Sequence, residues 1–345
     1  MGVSVRDVAA AASVSVGTVS NVLNRPDRVS PETAARVLET IERLGFVRND
    51  AARQLRAGHS RTVGLVVLDL RNPFFTEVAR GAEERAARNG LSVLVANSDD
   101  EPARETTHLD LFEQQRAFGV LVTPVGDVIP RLRLLAQRGI PAVLVDRESP
   151  DRDIASVAVD DVFGGRIAAR HLLDQGRRRI AFVGGPLTVR QVSDRLAGAR
   201  AAIAEVPEAA LEYLGTESLT VDGGRRVGRD ILARARTKRP DAILAANDLI
   251  ALGLLQAMVM TGDVRVPDDI ALIGYDDIDF ASSAVIPLSS VRQPAALIGS
   301  TAMELLLGIA SGEREPEQVV FRPELRVRET SVVRAMPQRD PADHA

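Results

Sequence analysis

Apolar positions along the chain keep two rhythms, helical at the start and alternating strand and helix afterwards. Val5, Val8, Ala9 and Ala12 fall at i, i+3, i+4 and i+7, one face of a short first helix. Ser13-Val14-Ser15 interrupts it, because two hydroxyls compete for backbone hydrogen bonds while Val14 plugs the angle. Ser15 is a suitable N-cap for a second helix in which Val19, Val22 and Leu23 turn inward. Ser30-Pro31-Glu32 opens a third helix with a cap, a proline at the first helical position and an acid in the first turn. Its stripe is Ala34, Val37, Leu38, Ile41 and Leu44, and Gly45 stops it. Segment 49–56 reads as a two-turn helix with an Asn cap and one large apolar residue, Leu55, too short to be stable alone. Residues 57–60 read as a linker.

From Arg61 onward, near-continuous apolar runs alternate with helical stretches. Strands are expected at 62–68, 91–96, 119–123 and 142–145, and again at 180–183, about 217–221, 242–245 and 270–273. Helices are expected at 73–89, 162–175, 191–204, 224–235 and 248–260. Two successive α/β runs mean two parallel sheets. The expected fold class is thus an all-α N-terminal helix-turn-helix unit followed by an α/β part with parallel sheets.

The first two helices and their tight turn point to duplex DNA. Val16, Gly17, Thr18, Ser20 and Asn21 are left facing outward, and short outward residues let a helix sit deep in the major groove. An ordinary αα-hairpin packed on another domain is the alternative for this segment alone.

Several motifs in one order resemble a known family, the bacterial repressors of the lac-repressor (LacI/GalR) type. They are Val8-Ala9, Val14-Ser15-Val16, Thr18-Val19-Ser20, Val22-Leu23-Asn24, segment 49–55, and Gly64-Leu65-Val66-Val67 through Asn72-Pro73-Phe74-Phe75. The likeness continues to about Arg334. It implies a helix-turn-helix domain over 1–48, a hinge helix and linker over 49–61 and a two-lobed effector domain over 62–335, similar to periplasmic sugar-binding proteins. The lobes would be about 62–160 with 291–321, and 161–289 with 322–335. The resemblance also implies a homodimer on a near-palindromic double-stranded operator. Each half-site would be read by Val16, Gly17 and Asn21, with Arg6, Thr18 and Ser20 on phosphates. Hinge residues Asn49, Ala52, Leu55 and Arg56 would order on DNA, two Leu55 side chains wedging into a central minor-groove step. Asn21 stands where many relatives carry Arg, so their operator sequences do not transfer.

Ligands of parallel sheets bind at the carboxyl ends of strands. There the candidates are Phe74 and Phe75, Arg147, Gln191, Arg195, Asn247 and Asp276. The two phenylalanines can stack on a sugar or a base, or simply fill the core. Arg147 can hold a hydroxyl or carboxylate, or form a surface pair. Asp248 reads as a helix cap and Asn247 as the better ligand. Arg195 and Asp276 match the family's effector-contacting Arg and acid. Carboxylates, amides and a guanidinium together suit sugar hydroxyls, so the expected effector is a carbohydrate or a derivative. Relatives often carry an aromatic lid near Leu219, and no aromatic lies between Tyr213 and Tyr275 here.

Charge first counts against DNA, with a net −4 and a pI near 5.7. Division changes that: 1–61 holds nine Arg against six acids, leaving 34 cations against 41 acids behind it. The result is a basic head on an acidic body, which phosphate contacts require only locally; chance asymmetry is the plainer account. No cysteine is present, which removes disulfide and thiol chemistry and fits a cytoplasmic protein. No run of 18 apolar residues predicts a membrane span, and no signal peptide is expected. The four histidines are scattered, so no catalytic residues, metal ligands or cofactors are expected. A solute-binding protein and an α/β enzyme remain the alternative readings. Residues 336–345, with two prolines and no leucine heptad, read as a disordered tail that cannot form a tetramerising coiled coil.

Overall fold

The computed structural model describes residues 3–46 and 60–332, in two units divided after Ser60. The hinge residues Asn49, Ala52, Leu55 and Arg56 and the expected tail at 336–345 lie outside the described residues.

The first unit holds α1 (Val5–Ala11), α2 (Val16–Asn24) and α3 (Pro31–Leu44), with one 3-10 turn at Pro26–Arg28. Each helix start is capped as its hydroxyl suggests. Ser4 and Asp7 form a reciprocal capping box, the Ser15 Oγ accepts the Thr18 N–H at 3.0 Å, and Ser30 accepts from Thr33. Gly45 ends α3 in the left-handed region, at φ 61°. Val8, Ala9, Ala12, Val19, Val22 and Val37 form the core. The expected stripe on α3 faces the core at Ala34, Val37, Ile41 and Leu44 but not at Leu38, which is 53% exposed while Thr40 is buried. The Thr40 hydroxyl satisfies itself on the Arg36 carbonyl at 2.8 Å, which makes its burial inexpensive.

The second unit contains two six-stranded sheets. The first is built from β1 (Thr62–Val67), β2 (Ser92–Asn97), β3 (Gly119–Val122), β4 (Ala142–Val145) and β5 (Ala155–Val159). Between these strands run α4 (Pro73–Ala87), α5 (Pro102–Gln114) and α6 (Ile129–Gln137). The second sheet is built from β6 (Arg179–Val183), β7 (Ala210–Leu214), β8 (Ala242–Ala245), β9 (Ala271–Asp276) and β10 (Ser289–Arg292). Its helices are α7 (Asp161–Asp174), α8 (Arg190–Ala204), α9 (Val221–Ala233), α10 (Asp248–Thr261) and the short α11 (Asp279–Ser282). The chain then returns through α12 (Ala295–Ser311) to β11 (Gln318–Phe321) in the first sheet, and ends with β12 (Glu324–Arg326) in the second.

Strand order is β11-β5-β4-β3-β1-β2 in one sheet and β12-β10-β9-β8-β6-β7 in the other. Every pair is parallel except β10 with β12. Both sheets are covered on both faces, so central strands such as β3 and β8 are buried throughout. The chain passes between sheets three times: from β5 to α7, from β10 to α12, and from β11 to β12.

One expected strand is misplaced. Residues 217–221 form no strand; Thr220 caps α9 there, and the edge strand is β7. An edge strand is half-exposed, so Ala210–Leu214 lacks the continuous apolar run that marks its neighbours. β5, β10, β11 and β12 are also absent from the expected set; they are short, and β10 reads Ser-Ser-Val-Arg.

Candidate functional site

The two sheets turn their carboxyl ends toward one cavity of about 40 Å³. At roughly 10–15 Å³ per water on this measure, that is room for a few waters. Side chains from both sheets line it, and bonds between them hold the lobes together.

Asn72 caps α4 by accepting the Phe74 N–H at 3.1 Å, which fixes its amide. Its Nδ2 then donates across the cavity to Asp276 Oδ2 at 2.9 Å. Gln293, just beyond β10, donates to the other oxygen of Asp276 at 2.8 Å. A second bridge joins Gln191, near the start of α8, to Asp146 at the end of β4. The Gln191 Nε2 donates to the Asp146 carbonyl at 2.8 Å and to its Oδ2 at 2.9 Å. Asp146 and Asp276 both hold positive φ, 58° and 104°, a region that Asp tolerates better than most residues.

Arg195 is the buried cation of the site. Its Nε donates to Asp161 Oδ1 at 2.7 Å and its Nη1 to the Ala246 carbonyl at 2.7 Å, with Asp276 Oδ1 at 3.8 Å. Tyr275 lies beneath the guanidinium, 3.6 Å from ring centroid to Cζ. Burial disfavours its charge, but Asp161, Tyr275, Asp276 and Asp146 outweigh that, and the pKa is raised. Burial pushes the carboxyls of Asp146, Asp161 and Asp276 above their ordinary range, Arg195 opposing it in each. For Asp146, the charge of Asp161 adds to burial. At the rim, partial burial and then the charges of Asp69 and Asp99 raise Asp100 to about 6. Asp248 lies behind the site. It accepts from the Ile278 N–H at 2.9 Å and the Ser290 hydroxyl at 2.7 Å, bracing the turn that presents Asp276.

Of the expected effector residues, Phe74, Phe75, Gln191, Arg195, Asn247 and Asp276 meet around this cavity. The phenylalanines meet edge to face at 5.1 Å and belong to the core of the first sheet while lining the cavity. Asn247 is itself the cap of α10, through the Ile250 N–H at 2.9 Å, and reaches the Leu219 carbonyl at 3.2 Å. Arg147 is a correction. Its guanidinium donates to the Gly126 carbonyl at 3.1 Å and lines a neighbouring cleft with Glu148 and Asp160. The left-handed turn at Asp146 sends successive side chains apart, so the carboxyl of Asp146 enters the site where Arg147 was expected. Asn72, Asp161 and Gln293 were not singled out. Asn72 and Asp161 read as ordinary helix-start residues, and Gln293 sits in a crossover without periodicity.

On the helical unit, Val16, Gly17 and Asn21 are exposed along one side of α2, and Arg6 is exposed on α1. Thr18 and Ser20 are half-buried. Thr18 bonds the Ser15 hydroxyl at 2.9 Å, and Ser20 accepts from Asn24 at 3.3 Å.

Comparison with known proteins places the chain. Residues 4–49 match the model of bacterial regulatory proteins of the lacI family, and 169–331 match a periplasmic binding protein-like domain. The ribose operon repressor of Bacillus subtilis is 32% identical over 93% of this chain and 95% of its own length. The chain belongs to the lacI family of bacterial regulators. The HTH-type transcriptional repressor PurR of Vibrio campbellii is likewise 32% identical, over 95% of this chain and 98% of its own. Among solved structures, the lac repressor dimer bound to operator and the anti-inducer ONPF aligns with a TM-score of 0.81 at 27% identity, covering 96% of this chain and 100% of that one. A lacI-family regulator from Enterococcus faecium with bound ribose aligns at 0.71 and 27% identity, over 78% of this chain and 98% of that one. This lacI-family member is therefore a DNA-binding transcriptional regulator, and the enzyme reading falls with relatives that are repressors.

Proposed function

We propose that this lacI-family regulator is a cytoplasmic homodimeric repressor whose operator affinity is set by a small carbohydrate bound between its lobes. The observation that carries this is the convergence of Asn72, Gln191, Arg195 and Asp276 from both sheets on one cavity, bridged by side-chain bonds. Effector hydroxyls compete for the same amides and carboxylates. A sugar exceeds the space for a few waters, so binding requires the lobes to part or rotate. That displacement changes the spacing of the two hinge segments in the dimer.

Each recognition helix would present Val16, Gly17 and Asn21 to a half-site, Asn21 pairing with adenine and Val16 touching a thymine methyl. Arg6, Thr18 and Ser20 would hold phosphates, and Asn49, Ala52, Leu55 and Arg56 would fold onto the central minor groove. For the dimer, β2 is an open sheet edge with Leu94 and Val95 exposed, near exposed Leu70 and Leu111. Met260, Phe280 and Val285 are exposed on the other lobe. Related structures supply the precedent for dimer, operator and sugar.

Selection of duplexes from a random pool with the full chain, followed by anisotropy titration with and without sugars, tests the reading. A near-palindromic site should emerge, and one sugar should shift its affinity by about 5- to 150-fold. Enrichment of no duplex, or an affinity indifferent to every sugar, would overturn it.

A further inference from the structure

We infer that the cavity takes an uncharged polyhydroxy effector and rejects its phosphorylated or carboxylated derivatives, an inference that rests on the effector role proposed above. Arg71 stands outside the cavity lining, held by Asp69 at 2.8 Å and Asp99 at 3.1 Å; within the lining four carboxyls, Asp69, Asp100, Asp146 and Asp276, face one cation, Arg195. That cation is already matched by the Asp161 carboxylate at 2.7 Å and the Ala246 carbonyl at 2.7 Å. With one of the carboxyls protonated the wall still carries surplus negative charge. A phosphate or carboxylate on the ligand would enter a field of its own sign, with no free guanidinium to receive it.

The same wall has unmet acceptors. Asp146 Oδ1 and Gln293 Oε1 are buried atoms without a hydrogen-bond partner, on residues only 5% and 4% exposed. Their other polar atoms are committed, Asp146 Oδ2 to Gln191 and Gln293 Nε2 to Asp276. The Gln293 amide cannot be reversed, since the carboxylate of Asp276 calls for the N–H. Buried polar atoms left open are uncommon, and here the two come from residues following strands of different sheets. A ligand with two hydroxyls, one toward each sheet, satisfies both; a protonated Asp146 serves the same hydroxyl as donor.

Calorimetric titration of the full chain tests this with a panel of neutral pentoses, hexoses and disaccharides. It includes D-ribose against ribose 5-phosphate and ribonate, and D-glucose against glucose 6-phosphate and gluconate. A neutral sugar should bind, and its charged derivative should bind about 100-fold more weakly, the scale of like charges roughly 6 Å apart at an effective dielectric of about 20. Asp100→Asn, at the exposed rim where folding is not at stake, should shrink that ratio several-fold, because burial and its neighbours raise that carboxyl only to about 6 and it is charged near neutral pH. A phosphate ester that binds as tightly as its parent, or a ratio unmoved by Asp100→Asn, overturns the inference and leaves the effector role standing. Failure of every neutral and charged sugar to bind or to alter operator affinity overturns the effector role itself.

Discussion

Arg195 and Asp161 form a buried pair, 5% and 7% exposed at their side chains, so each is stable only in the other's company. Arg195→Met should cost about 3–5 kcal/mol in urea unfolding, because it leaves an uncompensated carboxylate inside. Adding Asp161→Asn should recover part of that loss, and a double variant no better than the single would show that the pair is not the source. Asp146 makes the second prediction at this scale. Its carboxyl is held above the ordinary range near 3.8 by burial and then by Asp161, so the folded state keeps a proton that the unfolded chain has lost. A folded state that binds more protons loses stability as pH rises above the unfolded pKa. Asp146→Asn carries no such proton, so its melting temperature should gain on that of the wild type as pH is raised above the ordinary carboxyl value near 3.8. Parallel profiles would refute it. Arg195 and Asp276 were legible because they match family motifs. Gln293 and Asn72 were not, because what makes them functional is a bond to Asp276 some distance away in sequence, which no local pattern encodes.

Helices in the second unit pack in reciprocal pairs through glycine. A Cβ on Gly165 of α7 would strike the Arg195 carbonyl of α8, and one on Gly198 of α8 would strike the Val162 carbonyl of α7. The same exchange joins α4 to α12 through Gly81 and Gly299, and α9 to α10 through Gly224 and Gly253. These close approaches set the height of each helix on its sheet, and α8 carries both Gln191 and Arg195. Gly165→Ala should therefore cost about 1–3 kcal/mol by overpacking and also weaken effector binding, read by calorimetry on the folded variant. Gly126→Ala, where an added Cβ meets nothing within 4 Å, is the control. Normal effector affinity in a destabilised Gly165→Ala would uncouple the helix pair from the site. The buried central strands were legible as continuous apolar runs, β8 as Ala-Ile-Leu-Ala among them. The edge strand β7 was not, since half-exposure removes the very signal used to find strands.

At the scale of the whole molecule, DNA is left to a small part of the chain. Residues 1–61 hold nine arginines against six acids while everything behind is net acidic, so the body repels the duplex that the head approaches. The residues proposed to face the bases, Val16, Gly17 and Asn21, are exposed but short or uncharged, where long basic side chains would give stronger base contacts. On the proposed reading, specificity would then be drawn from elsewhere: two Leu55 side chains, one from each protomer, would unstack a central step. The kink is sequence-dependent, because flexible pyrimidine–purine steps deform at least cost. It would also require both hinges at once, and in the proposed reading that is how a change between the lobes would reach the DNA. Leu55→Ala should accordingly lower affinity for the selected operator by tenfold or more, about 1.4 kcal/mol per decade. Binding to random duplex, carried by phosphate contacts, should change little, with the same salt dependence as the wild type. Equal losses on both duplexes would mean that Leu55 serves only the folding of the hinge, and that the operator is read by α2 alone.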